Sequence, residues 1–179
     1  PVFGEKDMSG NFRDGTVNRY VLPNGMVVLL KEDHRNPVAA IQVWVRTGSV
    51  TEDRYATSGI SHFVEHMLFK GTAQRGVGEV AKEIQSYGGE INAHTSPDTT
   101  VYTVNIDSRY FEKACEILAD SLMHSTFDPA EVEKERSVIV KEINLNDDDP
   151  DRRIYKTFFN TIYAVHPYKD PVIGYEQIF

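Results

Sequence analysis

At 179 residues the chain can bury one hydrophobic core, and 40% hydrophobic with 26% charged residues are ordinary globular values. A formal net charge of −8 argues against nucleic acid, whose binding proteins need clustered Lys and Arg to displace counterions, and leaves room for basic peptide partners. The single cysteine, Cys115, rules out an intramolecular disulfide and leaves the compartment open, and no apolar run is long enough for a membrane span.

In chain order, Pro1-Val2-Phe3-Gly4 reads as neither a signal peptide nor an initiator methionine, so a processed or trimmed chain is expected. After a polar lead-in, Asn18 to Leu22 and Met26 to Lys31 flank Pro23-Asn24-Gly25, which predicts a β-hairpin. A strand from Val38 to Arg46 alternates Ile41, Val43 and Val45 against a face carrying Trp44. Thr57-Ser58-Gly59 offers hydroxyls to cap a helix that ends at Lys70-Gly71-Thr72. A helix from Val77 to Tyr87 follows, with Val80, Ile84 and Tyr87 on one stripe. Glu90 to Thr95 and Thr99 to Ile106 then read as strands joined by Ser96-Pro97-Asp98.

The rest is helical. Asp107 or Ser108 caps a helix reaching His124, in which Ala114, Cys115 and Leu118 mark an apolar face and Cys115 reads as a small buried hydrophobe. Asp128-Pro129 starts another, running to about Asn146. Pro150 breaks it before a last helix from Arg152 to Tyr163, whose Tyr155, Phe158, Phe159 and Tyr163 read as core. The expected fold class is α+β, one largely antiparallel sheet covered by helices.

The chemistry is concentrated in His62-Phe63-Val64-Glu65-His66. Residues four apart on a helix stand one above the other, so both imidazoles share a face and Glu65 projects at its edge, in the H-x-x-E-H order of the inverzincins. Shuffling a chain of this composition yields that pattern roughly once or twice in a hundred trials, so the motif needs support from elsewhere. Its bland alternative is two partly exposed helix histidines beside a solvated glutamate. A catalytic metal requires a third protein ligand and an open position for water. The acidic helix offers Glu135 and Glu142, seven apart and so about 10 Å from each other along its axis; only one of them can reach the ion.

The hairpin at Leu22-Pro23-Asn24-Gly25, Gly48-Ser49 with Glu52, the run from Gly59 to Thr72, Gly88-Gly89 before Asn92-Ala93-His94-Thr95, Glu135-Arg136 with Glu142, and His166-Pro167-Tyr168 before Pro171-Val172-Ile173-Gly174 together resemble the amino-terminal part of the pitrilysin family. That family includes insulin-degrading enzymes and mitochondrial processing peptidases. The resemblance implies Zn2+ held by His62, His66 and Glu142, with Glu65 as general base and Glu135 behind a ligand, orienting it. It also implies that Asn92 and Ala93 lie on an edge strand to which a peptide substrate adds its backbone. His34, His94, His124 and His166 read as structural.

The function implied is zinc-dependent endopeptidase action on peptides or small unfolded proteins. Two alternatives accompany it: a non-catalytic assembly subunit of the same fold, which should carry a broken motif, and a metal-dependent hydrolase of a non-peptide substrate. Residues 1–179 are expected to form a single, incomplete amino-terminal zinc-peptidase domain, and a second domain or partner subunit is expected to complete the cavity. An isolated fragment of this kind should be poorly active.

Overall fold

The computed structural model describes residues 17–178; the polar lead-in lies outside the described residues. The chain divides into two compact units, residues 1–37 and 38–179, each taken by itself. In the first, β1 (Val17–Val21) and β2 (Val27–Lys31) pair antiparallel, Val17 opposite Lys31 and Val21 opposite Val27. The expected turn closes the pair: Gly25 N–H donates to the Leu22 carbonyl at 2.8 Å, and Asn24 Oδ1 accepts from Met26 N–H at 3.1 Å.

The second unit is built on a three-stranded antiparallel sheet of β3 (Val38–Val45), β4 (Glu90–Thr95) and β5 (Thr100–Asp107), in the order β3-β5-β4. The α+β class and the antiparallel pairing hold, with the described strands divided between this sheet and the hairpin. Five described helices follow the strands in the expected places: α1 (Ile60–Met67), α2 (Glu79–Ser86), α3 (Phe111–His124), α4 (Pro129–Asp148) and α5 (Pro150–Ile162). The period-two face of β5 (Tyr102, Val104, Ile106) meets helical stripes from α2 (Val80, Ile84) and α3 (Ala114, Ile117, Leu118) in one core. Each side chain of that size, fully buried, contributes about 1.5 to 3 kcal/mol.

Boundaries follow capping chemistry. Asp128 accepts from the N–H groups of Ala130 and Glu131 to start α4, and Asp149 accepts from Asp151 and Arg152 to start α5 around Pro150. At α1 the expected cap is wrong. Neither Thr57 nor Ser58 caps the helix; its N-cap is Gly59 at φ +70°, and the Ser61 N–H is taken at 3.0 Å by the carboxylate of Glu52. A left-handed N-cap turns the preceding hydroxyls away and lets a distant acidic side chain take the orphan N–H.

Two burial expectations are also corrected. Helix α5 has no buried residue: Tyr155 is 66% and Phe158 55% exposed, while Phe159 and Tyr163 are half-buried. Aromatic spacing marks an apolar face correctly but carries no information on whether another element covers it. Cys115 is half-buried, at the edge of the α3 stripe rather than in its centre.

The segment after α5 returns to the start of α1. Tyr175 N–H donates to the Thr57 carbonyl at 3.2 Å, and Gly174 lies against Gly59 backbone to backbone. A Cβ on Gly59 would stand 2.1 Å from the Ile173 carbonyl oxygen, and one on Gly174 would stand 2.7 Å from Gly59 N. Both residues have positive φ, so glycine is required here for conformation and for space.

Candidate metal centre

Helix α1 presents His62 and His66 one turn apart, with ring centroids separated by 4.5 Å. Helix α4 packs against it through Glu135, Ile139 and Ile143, a buried stripe of spacing four, and this places Glu142 beside the imidazoles. Glu142 Oε2 is 3.9 Å from His62 Nε2 and 3.8 Å from His66 Nε2. One ligating atom from each of the three residues lies within 4.8 Å of the others.

The proton on His66 follows from its neighbours. Its Nδ1 is 2.8 Å from Glu135 Oε1, whose other oxygen meets Lys70 Nζ at 2.5 Å. Burial opposes the charge on Glu135, yet the hydrogen bonds from Lys70 and His66 outweigh it and hold the carboxyl below its ordinary value. An ionised carboxylate only accepts, so His66 Nδ1 donates to it, and Nε2 is the ring nitrogen that faces Glu142. His62 is pushed down to about 4 by burial and then by the adjacent His66, so its imidazole is neutral at neutral pH.

The result is two imidazole nitrogens and a carboxylate oxygen converging on one point. Two nitrogens and one oxygen form a donor set that suits zinc, so the residues present fit that ion. Beside them a cleft of about 560 Å³ opens from His62 and Glu142, past Ile143, to Tyr155 and Phe159, which leaves a side from which water and a larger molecule can enter.

Glu65 is buried, and its Oε2 accepts from the Thr95 hydroxyl of β4. Thr95 is 3.4 Å from Thr100 Oγ1, which in turn donates to the Thr47 carbonyl at 2.9 Å, so the carboxylate is anchored to the sheet. Burial, and then the charge of Glu65, push the Tyr102 phenol well above its usual range. Asn92 and Ala93 lie on β4, which pairs only with β5 among the described strands. The Ala93 N–H donates at 2.8 Å to the side chain of exposed Asn92. The other histidines are occupied elsewhere: His34 by Glu32, His124 by Asp120, and His166 by the Tyr168 N–H. His94 is exposed on β4.

The structure therefore brings together His62, His66, Glu142, Glu135 and Glu65, with Asn92 and Ala93 on the neighbouring edge. Sequence reasoning gave no role here to Lys70, Thr95 and the capping carboxylate of Glu52. For Lys70 a signal existed: on a helix turn, a residue four after His66 can reach what His66 touches.

The fold and site together define an α+β domain in which one helix presents two imidazoles and a second helix brings a carboxylate to ligating distance, with a further carboxylate alongside: a candidate metal centre. Residues 27–176 match the insulinase family, peptidase family M16, and the chain belongs to that family. It is 36% identical over 161 residues to the uncharacterized zinc protease YmxG of Bacillus subtilis (strain 168), covering 90% of this chain and 39% of that protein. It is 35% identical over 154 residues to the mitochondrial-processing peptidase subunit beta of Blastocladiella emersonii, covering 86% of this chain and 32% of the relative. Among solved structures, a protease from Helicobacter pylori superposes with a TM-score of 0.85 at 31% identity, covering 90% of this chain and 39% of that one. The chain thus spans about a third to two fifths of the length of these relatives. No described helix is long and apolar enough to cross a membrane.

Proposed function

We propose that this chain carries the metal site of a zinc-dependent endopeptidase acting on peptides or small unfolded proteins, with His62, His66 and Glu142 as ligands. The observation that carries the reading is the convergence of two imidazoles and a carboxylate, one ligating atom of each within 4.8 Å of the others, beside a buried glutamate. The family and the names of its zinc-protease relatives support it. What zinc supplies when bound is Lewis acidity, which lowers the pKa of a water and polarises a carbonyl.

The chain's own residues do the rest. Glu65 takes the proton of the attacking water and returns it to the leaving amine, and Thr95 holds that carboxylate at a fixed angle. Glu135 keeps His66 in the Nδ1–H tautomer, with Lys70 holding Glu135 ionised. The free edge of β4 takes an extended peptide by main-chain hydrogen bonds, Asn92 releasing the Ala93 N–H to it. Such contacts give affinity without reading sequence. A second domain or partner subunit closes the cavity, a reading supported by the greater length of the relatives.

The test separates base from ligand. Zinc content after dialysis is measured on the chain, and hydrolysis of a fluorogenic peptide library on the complete gene product, with and without chelator. Glu65→Gln is expected to keep zinc and lose about 10²- to 10⁴-fold in hydrolysis, the usual share of a general base. Glu142→Gln is expected to lose both. Equal zinc loss in the two variants overturns the assignment of roles.

A further inference from the structure

The two imidazoles are supported unequally. His66 Nδ1 is hydrogen-bonded to Glu135, whereas His62 Nδ1 is buried with no hydrogen-bond partner among the described residues. Buried ring nitrogens are rarely left so, because an unmet donor costs its full desolvation. A complementary atom belongs to the same end of the helix. Glu52 is 6% exposed; its Oε1 accepts from Ser61 N–H at 3.0 Å, and its Oε2 is buried without a partner. The hydroxyls of Ser49 and Ser58, on either side of Glu52 in the chain, are also buried and unpartnered.

Side chains on an α-helix lean toward its N-terminus. His62, the third residue of α1, therefore leans toward the end that Glu52 caps. The loop around Glu52 holds two non-glycine residues at positive φ, Asp53 at +48° and Thr57 at +72°, a conformation that a cap alone does not require. A neighbourhood with several unmet polar groups is one in which a buried water makes two to four hydrogen bonds.

We propose that Glu52 is a positioning residue for His62: its Oε2 accepts, through one buried water, the proton of His62 Nδ1, and so fixes the ring with Nε2 turned toward Glu142. One carboxylate then does two jobs, holding the helix start by one oxygen and the first imidazole by the other. The functional weight of this role rests on the zinc-site reading above, but the hydrogen-bond arrangement does not.

The experiment is a long-range ¹H–¹⁵N spectrum of the histidine side chains in the metal-free 179-residue chain at pH 7.5, together with zinc affinity by dye competition. In the parent, His62 is expected as the Nδ1–H tautomer. Glu52→Gln keeps an oxygen for the Ser61 N–H, so the thermal midpoint should stay near the parent's. The same variant should show His62 as a tautomer mixture and bind zinc about 10- to 100-fold more weakly, as loss of an outer partner typically does.

A parent His62 found as Nε2–H overturns the proposal without any variant. So does a Glu52→Gln protein with the parent tautomer and zinc affinity within twofold. If the parent binds no zinc, the peptidase reading fails, while the tautomer spectrum still decides the place of Glu52.

Discussion

Two polar clusters, one around a buried arginine and one half-buried, lie at either end of the segment that leaves α1, and they are built on opposite logic. Around Arg75, which is 8% exposed at its side chain, every charge is answered by protein: Glu83 at 2.7 Å, Glu116 at 2.9 Å and Asp120 at 2.6 Å, with Thr72 also donating to Asp120. Around His62, His66 and Glu142, the imidazoles and the carboxylate converge at 3.9 and 3.8 Å, too far for hydrogen bonds among them. The first cluster is complete as folded and ties the loop after α1 to α2 and α3. The second leaves its ligating atoms facing a common point without bonding one another. Burial of charge alone thus does not mark a functional site; converging atoms that do not answer one another do.

The contrast can be broken most forcefully at Arg75. Arg75→Met leaves the buried Asp120 carboxylate without its cation and is expected to cost about 3 to 5 kcal/mol of stability, read by urea denaturation. Zinc stoichiometry of the folded fraction should be unchanged. Glu142→Gln should behave in reverse: zinc affinity falls by more than about a hundredfold, beyond the range for an outer partner. The metal-free chain meanwhile should keep its stability within about 0.5 kcal/mol of the parent, because Glu142 stands 3.9 and 3.8 Å from the imidazoles, beyond hydrogen-bond distance. A large loss of metal-free stability in Glu142→Gln would show that the site is a structural network after all.

Acid titration sharpens the difference. The Thr72 and Arg75 hydrogen bonds hold Asp120 below its ordinary value, and Arg75 does the same for Glu83. A carboxyl depressed in the folded state contributes stability that is fully present above its unfolded pKa, near 3.8 for Asp and 4.5 for Glu, and is lost as pH falls through the lower folded values. Thermal midpoints of the parent should therefore fall below about pH 4.5, and Asp120→Asn should flatten that limb. The smallest effect is expected on α5. Ile154→Ala, at a side chain 68% exposed, should change stability by no more than about 0.5 kcal/mol. By contrast, Ile139→Ala, in the buried stripe of α4, should cost about 2 to 5 kcal/mol.

What could be read from the sequence was what is local. The hairpin at Asn24-Gly25, the helix carrying His62 and His66, and the aspartate cap before Pro129 each follow from a few neighbouring residues. Spacing narrowed the acidic helix to Glu135 or Glu142, and family resemblance pointed to Glu142; the packing of α4 on α1 is what faces it to the imidazoles. Thr95 and Glu52 enter through contacts across the sheet or around a loop, which no periodicity encodes. The aromatic run of α5 failed for a related reason, since amphipathic spacing tells which side is apolar and not what lies opposite.

The contact of Gly59 with Gly174 has a consequence for how such a site can be altered. One wall of the cleft, residues 168–174, is registered to the start of the histidine helix by backbone against backbone, with no side chain in the seam. Side chains such as Val172 and Ile173 can then be exchanged without breaking that backbone seam, so the shape and polarity of the cleft are free to drift while the geometry of the imidazoles stays still. In engineering terms, the two glycines are a fixed datum, and the lining between them and Glu142 is the adjustable part.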